Sequence, residues 1–252
     1  MTGSMTGPMI ASLRSELMNV RSTPTAGALL VGSVLMAVAS CVANLSLITV
    51  DELAEPQSLQ LAMHASTVAT LVFALVAGLV SSTSDFRFGR IDQLLLSDPS
   101  RTRSFLVKAI VGAVTGVVYG VIGALAAVAT IRTYFSFRDV PLETLSSDIL
   151  RPALGVILGA ALFAVIGIGV GTAIRNQPVA IAGSLALMLI VEPTALLGLP
   201  TVGKWLPGAT GLALTNSPDP NLLAQASGGL LLAAWTAIAL SVGVYRLRTV
   251  DL

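Results

Sequence analysis

Six stretches of this chain are each long and apolar enough to cross a membrane, and no other feature of the sequence restricts the fold as much. Crossing about 30 Å of hydrocarbon takes about 20 residues at about 1.5 Å each. Residues 26–48, 109–131, 152–174 and 222–245 carry no charge; residues 61–84 contain only His64, and residues 179–199 only Glu192. Hydrocarbon offers no water to unpaired backbone groups, so uninterrupted apolar segments of this length must be helical. Composition agrees: 54% of the 252 residues are hydrophobic and 11% charged, about half the charged fraction of a soluble domain. The expected fold class is an all-α integral membrane protein with six transmembrane helices. The fifth span is the least regular, because Glu192-Pro193 interrupts it.

An even number of spans puts both termini on one side, and basic residues flanking spans stay in the cytoplasm. One side collects Arg14, Arg21, Arg87, Arg90, Arg101, Arg103, Lys108, Arg175, Arg246 and Arg248. The other has only Arg132, Arg138, Arg151 and Lys204, and its first loop carries Asp51, Glu52 and Glu55 with no base. Both termini are therefore expected in the cytoplasm. Residues 9–20 set Met9, Leu13 and Leu17 at helical spacing, the pattern of an amphipathic helix on the inner surface. The first 24 residues lack a basic start leading into a short apolar core and include Glu16, so the first span is expected to act as an uncleaved anchor.

The polar hairpin 85–108 holds five of the fourteen basic residues. Within it, Asp85-Phe86-Arg87-Phe88-Gly89-Arg90 leads into the apolar set Ile91, Leu94, Leu95 and Leu96, closed by Asp98-Pro99-Ser100-Arg101. A short amphipathic helix facing the cytosol between two spans presents an apolar patch, and such patches mark partner surfaces. The alternative is a solvated loop whose bases serve only orientation. Residues 200–221 are rich in Pro and Gly yet include Leu206, Leu212, Ala213 and Leu214. Non-helical backbone at membrane depth survives only where protein or a cavity covers it, so one or two short re-entrant helices forming an outer lid are expected. Gly112, Gly116 and Gly120, Gly155 and Gly159, and Gly167 and Gly171 recur four apart, which marks close helix packing or a sliding interface.

Several chemistries are excluded. The only Gly-Lys pair, Gly203-Lys204, is followed by Trp205 and not by Ser or Thr, so no phosphate-binding P-loop exists and no nucleotide cofactor is expected on this chain. One histidine and one cysteine, Cys41 in an apolar run, cannot build an intramolecular disulfide, a thiolate cluster or a histidine-rich metal site. His64 and Ser66 stand two apart on a helix and face different ways, which excludes a Ser-His pair. With net charge +1 and no basic patch interleaved with aromatics, nucleic acid is not an expected partner. Glu192 is the one carboxylate deep in a span, and intramembrane charge costs about 3 kcal/mol or more unless it meets a cavity or partner. It either lines the outer part of a translocation path, favouring cationic cargo, or caps the helix start at Pro193.

In the hairpin, Asp85, Phe86, Arg87, Gly89, Ile91, Leu94, Leu95, Pro99, Arg101 and Lys108 stand in the order and spacing of a family pattern. On these residues the chain resembles bacterial ATP-binding-cassette permeases of the type-2 (multidrug, lipid and peptide exporter) family. That pattern reads Glu-Tyr-Arg-x-Gly-Thr-Ile, then Leu-Leu, Pro-x-Arg and Ala-Lys; Arg90 replaces its Thr and Val107 its Ala. Arg175-Asn176-Gln177, Val191-Glu192-Pro193 and Leu206-Pro207-Gly208 are also similar to the family. The resemblance implies a single permease domain over residues 1–252 in a bacterial plasma membrane. It implies a coupling helix in 85–108 docking on a separate ATPase subunit that holds ATP and Mg. Phe88, Ile91, Leu94 and Leu95 would enter the ATPase cleft, with Gly89 in the same docking set and Asp85, Arg87, Arg90 and Asp92 flanking them. It further implies a second permease copy or a sister permease, with membrane lipids around the pair. Amphipathic or hydrophobic cargo would pass along Val72, Phe73, Val76, Leu187 and Leu189, with Glu192 beside them. A secondary transporter or channel needing no ATPase is the rival class; such proteins carry several intramembrane charges or inverted repeats.

Overall fold

The computed structural model describes residues 24–49, 56–87, 101–139, 147–217 and 219–249. Among these the protein is all-helical. Helix α1 spans Pro24–Ser46, α2 Pro56–Arg87, α3 Arg101–Phe137 and α4 Ser147–Ile174. Helix α5 (Gln177–Ala186) runs through a π turn, Leu187–Val191, into α6 (Glu192–Gly198). Two short helices, α7 (Pro200–Gly203) and α8 (Pro207–Ala213), precede α9 (Gln225–Thr249). Proline opens α1, α2, α7 and α8, where its missing N–H removes nothing the helix would have used.

Six of these helical runs are long and apolar enough to cross a membrane, α5, the π turn and α6 counting as one. They coincide with the six expected stretches. Two are longer than expected: α2 has 32 residues and α3 has 37, so the helices take in 85–87 and 101–108 at the two ends of the polar hairpin. The fifth span is not broken at Glu192-Pro193 as the sequence suggests, because the π turn absorbs the proline. The expected inner-surface helix at 9–20 and hairpin residues 88–100 lie outside the described residues.

Helix α4 is the hub. It packs against α2, α3 and α9, and 67% of its most apolar window is buried, against 17% for α1 and for the α5–α6 run. Its glycines make this possible. A Cβ on Gly167 would meet the Leu75 carbonyl of α2, and one on Gly116 of α3 would meet the backbone of Ala160 and Ala161. Close backbone approach of this kind builds dispersion contact where lipid supplies no hydrophobic drive. The main core joins Leu71, Leu75 and Leu79 of α2, Phe163 of α4, Met188 of the π turn and Leu232 of α9. A second cluster ties Cys41 and Leu45 of α1 to Met63, Ile131 and Phe135.

Several polar groups inside the bundle bond to the backbone of their own helix or a neighbour, while Ser33 Oγ and His64 Nδ1 are buried without a hydrogen-bond partner among the described residues. Thr67 donates to the Met63 carbonyl (2.7 Å), and Thr172 to that of Ile168 (2.8 Å). Tyr119 of α3 reaches across to the Ala26 carbonyl of α1 at 2.9 Å. The α4–α5 corner is built by its own two residues. Arg175 takes a left-handed conformation (φ 58°) that ends α4, and the Asn176 side chain then caps α5 by accepting from the Val179 N–H at 3.2 Å. Asn176 therefore starts a helix as well as closing a turn.

Candidate functional site

Glu192 organises the end of the bundle at which α7 and α8 lie. Pro193 has no N–H to give the preceding turn, and the helix there slips to wider spacing, the Glu192 N–H donating to the Leu187 carbonyl five residues back. A π turn inserts one extra residue and so rotates the rest of the helix by about 100°. The result turns Glu192 inward, only 4% exposed, while Ile190 and Val191 face outward. Its carboxylate accepts hydrogen bonds from the backbone N–H groups of Gly208 and Ala209. Those are the first turn of α8, where N–H groups have no partner within the helix. The sequence offered a choice between lining a path and capping the start at Pro193. The carboxylate caps a further helix, sixteen residues on, and also lines the cavity beside it. A Cβ on Gly208 would meet the Glu192 carboxylate, so a side chain there must shift it from its present place.

Beside this anchor lies a cavity of about 280 Å³. Leu75 of α2 and Phe163, Ile166 and Val170 of α4 form its inner wall. Ser184, Leu187, Met188 and Glu192 form one side; Trp235, Ile238 and Val242 of α9 form the other, with Pro207 at the end. Helix α5 packs on α2 and α4, and α9 on α4 and α8. Leu187, Ile238 and Val242 line the cavity and are also exposed, so it opens sideways between the fifth and sixth spans. The wall is apolar apart from the Glu192 carboxylate, Ser184 and the Trp235 indole, which donates to the Trp205 carbonyl at 2.9 Å.

Of the residues expected along a path, the structure brings Leu187 and Glu192 together on this cavity. Val72 and Phe73 instead pack against the main core beside Leu29 and Leu30 of α1. Val76 is buried at 9% exposed but does not line the cavity, and Leu189 faces outward at 49%. Asp85 and Arg87 lie in the last turn of α2. Phe88, Gly89, Arg90, Ile91, Asp92, Leu94 and Leu95 lie outside the described residues. The Ser66 hydroxyl donates to the Met63 carbonyl at 2.8 Å, away from His64. Among the described residues no cluster of three or more metal-ligating side chains occurs.

Sequence reasoning missed the contributions of α4 and α9, above all Phe163 and Trp235. One signal was available: a tryptophan within an uncharged span must find an acceptor for its N–H, and so cannot be simple lipid-facing filler. A search of protein-family models matches no family to this chain, and a comparison with curated proteins returns no relative.

Proposed function

We propose that this chain is the membrane-spanning subunit of an ATP-driven exporter of amphipathic or hydrophobic cargo, powered by a separate ATPase subunit. The observation that carries this reading is the pair of long helices at the polar hairpin. At about 1.5 Å per residue, α2 and α3 run about 48 and 55 Å, well beyond about 30 Å of hydrocarbon. At the hairpin end the helices take in 85–87 and 101–108, which suits a short stalk leading to a cytosolic coupling element at 88–100. ATP and Mg belong to the partner, since the chain has no P-loop. Closing of the ATPase pair would bias the bundle between two states by differential nucleotide binding. A second copy or a sister permease completes the pathway, and α7 and α8 form the outer lid as re-entrant helices. The apolar cavity supports apolar cargo, and the basic flanks support cytoplasmic termini in a bacterial plasma membrane.

The test is reconstitution with the separate ATPase subunit that this reading requires, sought first among the products of neighbouring genes. Reversing the charges at Asp85 and Arg87 together is expected to abolish co-purification of that ATPase and its transport-coupled activity. An intact, active complex would defeat the docking assignment. Uphill transport by the purified chain alone, without nucleotide, would favour the secondary-transporter class.

A further inference from the structure

The geometry points to a ligand site inside one chain: the cavity between α4, α5 and α9 binds an organic ammonium ion carrying an apolar body. The site does not depend on ATP-driven export, since every wall belongs to this chain. Three observations select the ligand. First, a buried carboxylate, Glu192, is the only ionisable side chain on the cavity wall. Its two backbone donors from α8 hold it in place but supply no cation, so a cationic ligand completes the charge that an anionic one would repel. Second, Phe163 and Trp235 line the same space, and aromatic faces attract ammonium groups most strongly where water is excluded. Third, Ser184 lines the cavity as a further polar group on the α5 side. The remaining wall is aliphatic and matches an alkyl or aryl body. The sideways opening past Leu187, Ile238 and Val242 gives access from the bilayer, where such amphipaths concentrate. An acyl chain of a neutral lipid would fill the aliphatic part but leave the carboxylate unanswered.

Intrinsic fluorescence reads this directly. The chain has two tryptophans, and W205F leaves Trp235 of the cavity wall as sole emitter. The W205F protein in neutral-lipid nanodiscs is titrated with a bromoalkyl ammonium, and with the alcohol and carboxylate of the same chain length. Bromine quenches tryptophan on contact. The ammonium is expected to quench saturably, at least tenfold more tightly than the alcohol, whereas the carboxylate gives only the linear quenching of bilayer partition. E192Q keeps an acceptor for Gly208 and is expected to reduce the ammonium to the level of the alcohol. Ala173 also lines the cavity; A173F narrows the space while keeping Glu192, and is expected to abolish saturation for the ammonium and the alcohol. Equal quenching by ammonium and alcohol in the unaltered cavity would show an acyl-chain pocket and overturn the proposal. So would ammonium binding unaffected by E192Q or by A173F. A positive result without ATP-coupled transport would leave the site standing and remove only the exporter reading.

Discussion

At the scale of single residues, Glu192 behaves as a structural staple whose side chain stands in for the missing turn of α8. Replacing it with alanine removes the acceptor and leaves the Gly208 and Ala209 N–H groups buried without partners. A buried unsatisfied donor costs about 1–3 kcal/mol, so Glu192→Ala is expected to lose about 2–5 kcal/mol. Glu192→Gln, which keeps one carbonyl oxygen in place, is expected to lose less than half as much. Thermal unfolding in detergent, monitored as loss of monodisperse protein, checks the order of the two. Gly208→Val is expected to be at least as damaging as Glu192→Ala, since its side chain displaces the carboxylate. The two changes combined should cost much less than their sum, because each breaks the same contact. None of this pairing was legible in the sequence. The charge itself was, as an isolated carboxylate in an apolar span, but its partners lie across a π turn and a corner whose geometry only the packed structure defines.

At the scale of elements, the spans were legible because uncharged windows of this length have one solution in hydrocarbon. The four-residue glycine spacing was legible for a related reason, since it lays small residues along one helix face. What they pack against was not. The seam of α4 predicts a sharp contrast between two superficially similar substitutions. Gly167→Leu places a side chain against the Leu75 carbonyl and the backbone of Gly78, and is expected to destabilise by about 3 kcal/mol or more. Gly183→Leu on α5 meets open space and is expected to stay within about 0.5 kcal/mol of the parent. Equal losses at both positions, measured by the same unfolding assay, would mean that the seam is not a close contact. The cavity was illegible for a further reason: a void is defined by what neighbouring side chains fail to fill. Phe163 and Trp235 stand far apart in the chain, and no periodicity announces that they line one cavity.

At the scale of the whole molecule, charge asymmetry predicts the orientation, and the single cysteine makes it easy to check. Cys41 is fully buried, so it stays silent to a membrane-impermeant maleimide in intact cells. A cysteine at exposed Asn221 is expected to label from outside, and one at exposed Thr249 only after the membrane is opened. The reverse pattern would invert the topology and with it the cytosolic placement of 85–108. The central position of α4 also bears on how the chain is made. Its neighbours α2 and α3 leave the ribosome before it, whereas α9 emerges dozens of residues later. Until then the Gly169 face, which ends up against the Ala239 backbone, has no mate. A nascent chain halted before residue 225 would therefore leave the Gly169 face open to any passing helix. A truncation there is expected to be captured by the insertion machinery's quality control, read as loss of the truncated product in a pulse-chase.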